Sequence, residues 1–289
     1  ISGGETRTIG QDSKYAIESA LYISNEQKVG KKLTLQYGLR YSLYDYIGPG
    51  KGYTYGPQTG ERREPTSTTT YQKGDRIAQY GNWEPRFSAN LGLGESSSLK
   101  LSYNRMAQYL HLLSNTAAAS PLDVWTPTSN NIKPQLSDQI ALGIFKNLND
   151  NLFETSLEVY YKSLQNQVDY IPNSDLLLNP QLEGDLLYGG GRAYGAEFFI
   201  KKTKGKLNGW VSYTLSRTER QVEGLNNDNW FPSRFDKTHV LNVVGIYDVS
   251  QRLSFSVNFT YGTGTPATYP TSKFVWQGFA LPHNFYDER

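Results

Sequence analysis

This 289-residue chain has only three histidines, His111, His239 and His283, the side chain whose ordinary pKa lies nearest neutral pH. None has a metal-binding neighbour at strand or helix spacing. His239 shares an alternating face with Leu241, Val243 and Tyr247, which suits an interfacial ring better than a ligand. Cysteine is absent, removing thiolate nucleophiles, thiolate metal sites and disulfides together. Gly189–Gly191 lacks the strand-turn-helix context of a nucleotide loop, and GPGKG at 48–52 fails phosphate-loop spacing. Asn258-Phe259-Thr260 is formally a glycosylation sequon, but it lies inside a strongly alternating segment. These residues call for no cofactor and no catalysis. What remains is binding chemistry. Seven charges, Arg40, Lys100, Glu154, Glu158, Lys162, Glu197 and Arg217, interrupt otherwise alternating segments, and four aromatics, Trp125, Trp230, Phe231 and Trp276, stand in the connections between them.

The segments carrying those charges are strands. In 252–264 Leu253, Phe255, Val257, Phe259 and Tyr261 alternate with Ser254, Ser256, Asn258 and Thr260, so one face is apolar and the other polar. The same period of two runs through 33–43, 85–93, 98–104 and 153–162. Weaker versions appear at 14–27, 136–147, 192–203, 208–219 and 238–247. That predicts about ten strands and no convincing helix.

Alternation alone fits a soluble sandwich equally well. The connections separate the two readings. Tight links near 28–31, 94–97, 148–151, 204–206 and 248–251 are rich in Gly, Asn, Asp or Ser, and between them lie long connections at 48–83, 109–134, 170–190 and 220–236. Strict alternation of short and long means one end of an up-and-down sheet is trimmed and the other elaborated, as in outer-membrane barrels. Several segments exceed the ~9–11 residues that a tilted strand needs to cross a bilayer. Tyr41, Tyr44, Tyr46, Tyr103, Tyr109, Tyr170, Tyr247 and Tyr261 fall near strand ends, where an interfacial girdle would put them.

The fold predicted is therefore all-β: a segment of an antiparallel, up-and-down transmembrane β-barrel, with its apolar face on outer-membrane lipid and its polar face on a wide, wet lumen. A charge on the lipid face costs about 2–4 kcal/mol at mid-bilayer, so all seven charges are assigned to the lumen. There they could hold a plug or line a solute path. The four aromatics could stack on a ligand or pack loop against loop. Basic turns at KVGKK and KKTKGK would meet inner-leaflet phosphates. With 29 basic and 27 acidic residues, net charge +2, no nucleic-acid partner is indicated. Both ends of the chain fall on the long-loop side, whereas a complete barrel of this kind keeps both in the periplasm. Residues 1–289 are thus expected to be an interior part of one barrel domain.

Three stretches carry a family resemblance: IKPQLSDQIALGIFKNL (132–148), GGGRAYGAEFFIKK (189–202) and DKTHVLNVVGIYDVSQRLSFSVNFTYGTGTP (236–266). They resemble consecutive parts of the C-terminal half of TonB-dependent outer-membrane receptors, especially the large transporters common in Bacteroidetes. Pro134 with Gln135 stands where the family often has Pro-Glu. Gly195 and Glu197 match a Gly-x-Glu element, and Asp236 and His239 an Asp-x-x-His element. The resemblance implies a 22-stranded barrel filled by its own plug domain, energised by the inner-membrane TonB complex, and taking up a scarce nutrient such as a siderophore, cobalamin, oligosaccharide or peptide. The plug and final strands are not in these 289 residues, and whether a surface lipoprotein sits on top stays open. A passive porin without a plug is the first alternative. An outer-membrane barrel enzyme and a soluble β binding module are the others.

Overall fold

The computed structural model describes residues 13–113, 124–172, 174, 179–267, 272–276 and 279–283. In chain order the strands are β1 (Tyr15–Val29), β2 (Leu33–Ile47), β3 (Gly50–Tyr55), β4 (Pro65–Tyr71), β5 (Arg76–Gly92), β6 (Ser97–Gln108), β7 (Leu110–Leu113), β8 (Val124–Pro127), β9 (Gln135–Leu148), β10 (Phe153–Tyr170), β11 (Leu186–Lys202), β12 (Leu207–Val222), β13 (Phe231–Pro232), β14 (His239–Ser250), β15 (Leu253–Gly262), β16 (Ser272–Trp276) and β17 (Phe279–His283). Ten of them form one antiparallel meander in the order β1-β2-β5-β6-β9-β10-β11-β12-β14-β15. All ten alternating segments of the sequence lie in it. The only helical pieces among the described residues are two short 3₁₀ turns, Leu182–Asp185 and Asn226–Asp228.

The trimmed end is made by residues that tolerate positive φ. Gly30 (φ +66) closes β1–β2, Asn149, Asp150 and Asn151 (φ 50, 52 and 63) close β9–β10, and Gly205 (φ +97) closes β11–β12. At the other end the long connections hold structure of their own. β3 pairs with β4, β7 with β8, and β13 adds to β12. None of these three pairings shows as alternation in the sequence. The strand β5 also starts earlier than expected, at Arg76, because RIAQYGNWE mixes polar and aromatic residues on both faces yet pairs with β2 throughout, save for an irregularity at Ile77.

Register joins the alternating faces across the sheet. The row Leu99–Ile144–Leu157–Phe198–Tyr213–Leu241–Tyr261 crosses seven strands, and so does Tyr37–Phe87–Tyr103–Ile140–Tyr161–Tyr194–Arg217. The side chains of this face stay exposed: Leu157 50%, Phe255 60%, Val257 63%. No helix is long and apolar enough to cross a membrane, which leaves crossing by strands untouched. An uncovered apolar face of this extent needs lipid or protein against it.

Buried side chains gather at the long-connection end instead. One cluster holds Leu113, Val124, Ile132, Val168, Leu182 and Leu186, and a second Ile171, Leu187, Val222, Leu225 and Phe231. The third holds Tyr44, Tyr46 and Tyr109. This corrects the girdle expectation in part. Tyr41, Tyr103, Tyr247 and Tyr261 are on the apolar face, but Tyr44 and Tyr46 have the opposite parity and, with Tyr109, pack the second long connection down onto the sheet.

Candidate functional site

Six of the seven charged candidates share the polar face. Lys100, Glu158 and Glu197 belong to one row, Thr34–Asn90–Lys100–Gly143–Glu158–Glu197–Thr214. Gly143 is needed there, because a Cβ would lie 2.9 Å from Glu158 Cγ. Lys162 stands four residues further along β10 than Glu158, opposite Gln139 and Ala193. Glu154 pairs with Lys201 Nζ at 3.5 Å near the short turns. Lys100 also lines a polar concavity of about 310 Å³ with Glu26, Thr34, Gln36, Ser88 and Asn90.

Arg217 departs from the expectation. Its register partner is Tyr194, which faces Tyr161, so it lies on the apolar face, at the end nearest the long connections. There it is held by Glu219 at 3.4 Å and Asp236 at 3.3 Å. Parity with Tyr213 and Leu215 was the available signal.

Arg40 is built into a network that has no local signature in the sequence. Its guanidinium lies 3.4 Å from Glu18 and 3.4 Å from Glu84, a carboxylate only 5% exposed. Ser42 Oγ donates to Glu84 at 2.7 Å and is 2.7 Å from the Tyr109 hydroxyl, which also accepts from Asn82 at 2.8 Å. Tyr44 stacks on Tyr109 with centroids 4.8 Å apart. Tyr44 and Tyr80 donate to the carbonyls of Thr128 and Ser129 at 2.9 and 2.8 Å. The described parts of the second long connection, 109–113 and 124–134, are therefore bent onto the polar face rather than away from it. His111, buried within it, holds Thr128 Oγ1 at 2.9 Å through Nε2, and burial pushes its pKa down to about 4.

The connection 48–75 lies over the others. Arg63 donates to the carbonyls of Gly56, Glu183 and Leu186 at 3.3, 3.1 and 3.1 Å, with the Tyr55 and Tyr188 rings 5.4 and 6.0 Å from its guanidinium carbon. Burial, helped by Glu183, raises the Tyr55 hydroxyl well above its ordinary pKa. Gln58 donates to Glu223 O and accepts from Tyr188 N, both at 3.0 Å, and the Tyr53 carbonyl accepts from Asn130 and Asn131 at 2.7 and 2.9 Å. All four long connections are thereby tied together. No pattern of types around Arg63 marks it in the sequence, since two of its three carbonyl partners lie more than a hundred residues away.

The four aromatic candidates are dispersed. Trp125 lies on β8 opposite Leu112 and is 56% exposed. Trp230 is partly exposed beneath the Arg192 guanidinium, 4.2 Å from the ring centroid. Phe231 is buried in the second cluster. Trp276 lies on β16, opposite Phe279, and its side chain is outside the described residues. Among the described residues no group of three or more His, Cys, Asp or Glu could hold a metal ion.

The residues of the family resemblance have local reasons. A Cβ on Gly195 would lie 2.6 Å from Leu215 O, so this position takes only glycine. The Asp236 carboxylate, 3% exposed, accepts from Thr218 N at 2.6 Å and latches the returning connection to β12. His239 Nδ1 is 2.8 Å from the Tyr213 hydroxyl on the apolar face. Asn166, at φ 55 in the β10 bulge, donates to Pro134 O at 2.7 Å where β9 begins.

A family described as TonB dependent receptor-like, beta-barrel, matches residues 2–288. No curated protein sequence matches the chain. Among solved structures the chain is similar to the FrpB iron transporter of Neisseria meningitidis (TM-score 0.55, 13% identity, 85% of this chain and 32% of that one). It is also similar to the alcaligin outer-membrane receptor FauA of Bordetella pertussis (0.54, 14%, 86% and 38%) and the ferric-catecholate import receptor Fiu of E. coli K12 (0.52, 16%, 84% and 34%). The chain spans about a third of the length of these proteins.

Proposed function

Because the chain belongs to the TonB-dependent receptor β-barrel family and so lies in the bacterial outer membrane, we propose that it forms one wall of an importer. In this reading its polar face grips a plug domain and its joined outside connections receive a scarce nutrient. The observation that carries the proposal is the charge left over on that face. Glu158 and Glu197 are register neighbours with like charge, and among the described residues neither they, Lys100 nor Lys162 has an ion pair. Like charges side by side on a sheet are destabilising unless something opposite meets them. A plug carrying complementary groups would meet them, with energy coupling through its TonB-contacting segment. Which nutrient is taken up depends on the outside connections, where Trp125 and Trp230 are the exposed aromatic candidates. Catalysis has no part in this reading.

A passive porin would have the same wall and no plug. Single-channel recording of the full-length protein in a planar bilayer tests the choice. A plugged importer is silent at rest, and Glu158→Gln with Glu197→Gln should raise leak conductance. A steady open conductance in the unaltered protein would remove the plug from the account.

A further inference from the structure

The polar face is not uniform. Towards the short turns of β9 to β14 it carries a patch of rings. Phe145 and Phe199 stand in the polar-face row Ser98–Phe145–Ser156–Phe199–Ser212–Asn242, and Trp210 stands in the next row, opposite Lys201 and Val244. The Phe199 and Trp210 ring centroids are 6.2 Å apart. Val244 and, two residues along β14, Ile246 extend the patch. Ring and serine alternate along the row, so ridges flank low floors, a relief that receives side chains from another element. Gly143 lowers the floor beside it, since a Cβ there would lie 2.9 Å from both Phe145 Cε2 and Glu158 Cγ. The patch therefore runs straight into Glu158 and Glu197 on one side, and into the Glu154–Lys201 pair on the other.

In the neighbouring rows β1 to β6 are built the other way. The concavity of about 310 Å³ there is lined by Glu26, Thr34, Gln36, Ser88, Asn90 and Lys100, all of them polar. Gln36 donates to Glu26 at 2.7 Å and accepts from Ser88 at 3.2 Å. Such a wall is satisfied by water, whereas an aromatic patch left in water forfeits the burial that its rings offer.

We propose that the aromatic patch of β9 to β14 is the fixed seat of the plug, and that the polar groove of β1 to β6 marks the side on which a water-filled gap lies between plug and wall. This rests on the plugged-importer reading and adds an asymmetry which that reading does not require. A cluster of rings bordered by charge has the anatomy of an interface core with its rim. It calls for an apolar plug surface flanked by cations that meet Glu158 and Glu197. About two thirds of the length of the solved relatives lies outside the part matched by this chain, enough to supply such an element. Lys100, on the groove side, faces the plug across water.

Ser212 in the patch row and Ser88 in the groove are matched probes. Both are half-buried in the wall, and each holds a side-chain amide, Asn242 at 3.4 Å and Gln36 at 3.2 Å. Ser212→Cys and Ser88→Cys are introduced singly into the full-length protein, any cysteine outside these 289 residues being replaced, and labelling by a small water-soluble maleimide is timed in the purified protein against labelling in urea. The thiol at position 212 should react at least roughly tenfold more slowly than the one at 88, the ratio expected of a site reached only by local opening. Phe199→Ser with Trp210→Ser should remove most of that protection, while Phe199→Leu with Trp210→Phe should keep it. Slow labelling at both positions, or slower labelling at 88, would overturn the inference and leave the import reading standing. Fast labelling at both would give the patch to an occupant outside this protein and equally overturn it; the presence of a plug is read separately, by the resting conductance.

Discussion

The strand band and the long-connection end are stabilised by opposite means. In the band, backbone ladders join each strand to its neighbours and the apolar side chains stay on the surface, so the surrounding medium supplies what a core would otherwise supply. At the long-connection end the protein builds its own interior. Three apolar clusters and the buried carboxylates of Glu84, Asp169, Glu183, Asp185 and Asp236 are enclosed there. The band is periodic and local, while the other end is aperiodic and held by contacts that are distant in sequence. The contrast explains why one part of a chain can be a generic wall while the other is individually shaped to meet a ligand.

The comparison breaks most severely if a charge enters the band on the wrong face. Leu157→Arg should lower stability by about 2–4 kcal/mol in urea unfolding of the membrane-assembled protein, whereas Ser156→Arg, one residue away on the polar face, should cost little. Equal costs would mean that the two faces do not meet different media.

At the other end, Arg63→Met should release the connection 48–75, at a local cost of about 3 kcal/mol from hydrogen bonds made by a charged group. Limited proteolysis between residues 56 and 64 reads the release, and the band's unfolding midpoint should not move. A shift of both together would show the two regions to be one cooperative unit.

Acid sharpens the same distinction. His111 is accepted only as a neutral ring, with a folded pKa of about 4 against an ordinary value near 6.5. Stability is therefore whole above about 6.5 and declines as pH falls towards 4, at up to about 1.4 kcal/mol per pH unit. Hydrogen exchange across 109–113 and 124–134, corrected for intrinsic rates, should speed up at pH 5 relative to pH 7, and His111→Asn should flatten that dependence. Exchange in β14 and β15 should show no such change.

The smallest effect is expected at the latch between the regions. Asp236→Asn keeps an acceptor for Thr218 N but removes the charge facing Arg217, and should cost about 1 kcal/mol. The measured consequence is faster exchange of residues 231–238 alone.

The same contrast decides what could be read from the sequence. Alternation in 33–43 and 252–264 is a local signal, so strands, faces and turn ends were legible, and glycines or asparagines at positive φ marked the short turns. Six charges on the polar face followed from parity, and Arg217 was misassigned by not applying it. Tyr44 and Tyr46 were drawn into a girdle by their place at a strand end, although their even positions put them on the face that receives the connection 109–134. The hairpin of β3 and β4 was hidden because Thr66, Ser67, Thr68, Thr69 and Thr70 are polar on both faces. Arg63 and Glu84 could not be recognised, since what makes them special is the company of residues from other connections and strands.

The central claim is that odd positions of β10 before its bulge, 153 to 163, face lipid and even positions there face the lumen. The chain has no cysteine, so single cysteines at 155 to 160 can be introduced one at a time in the full-length protein, labelled with a fluorophore and challenged with nitroxide-bearing lipid. Quenching should alternate, strong at 155, 157 and 159 and weak at 156, 158 and 160. Uniform quenching, or the opposite phase, would contradict the assignment of the two faces and with it the proposal that Lys100, Glu158 and Glu197 face a plug.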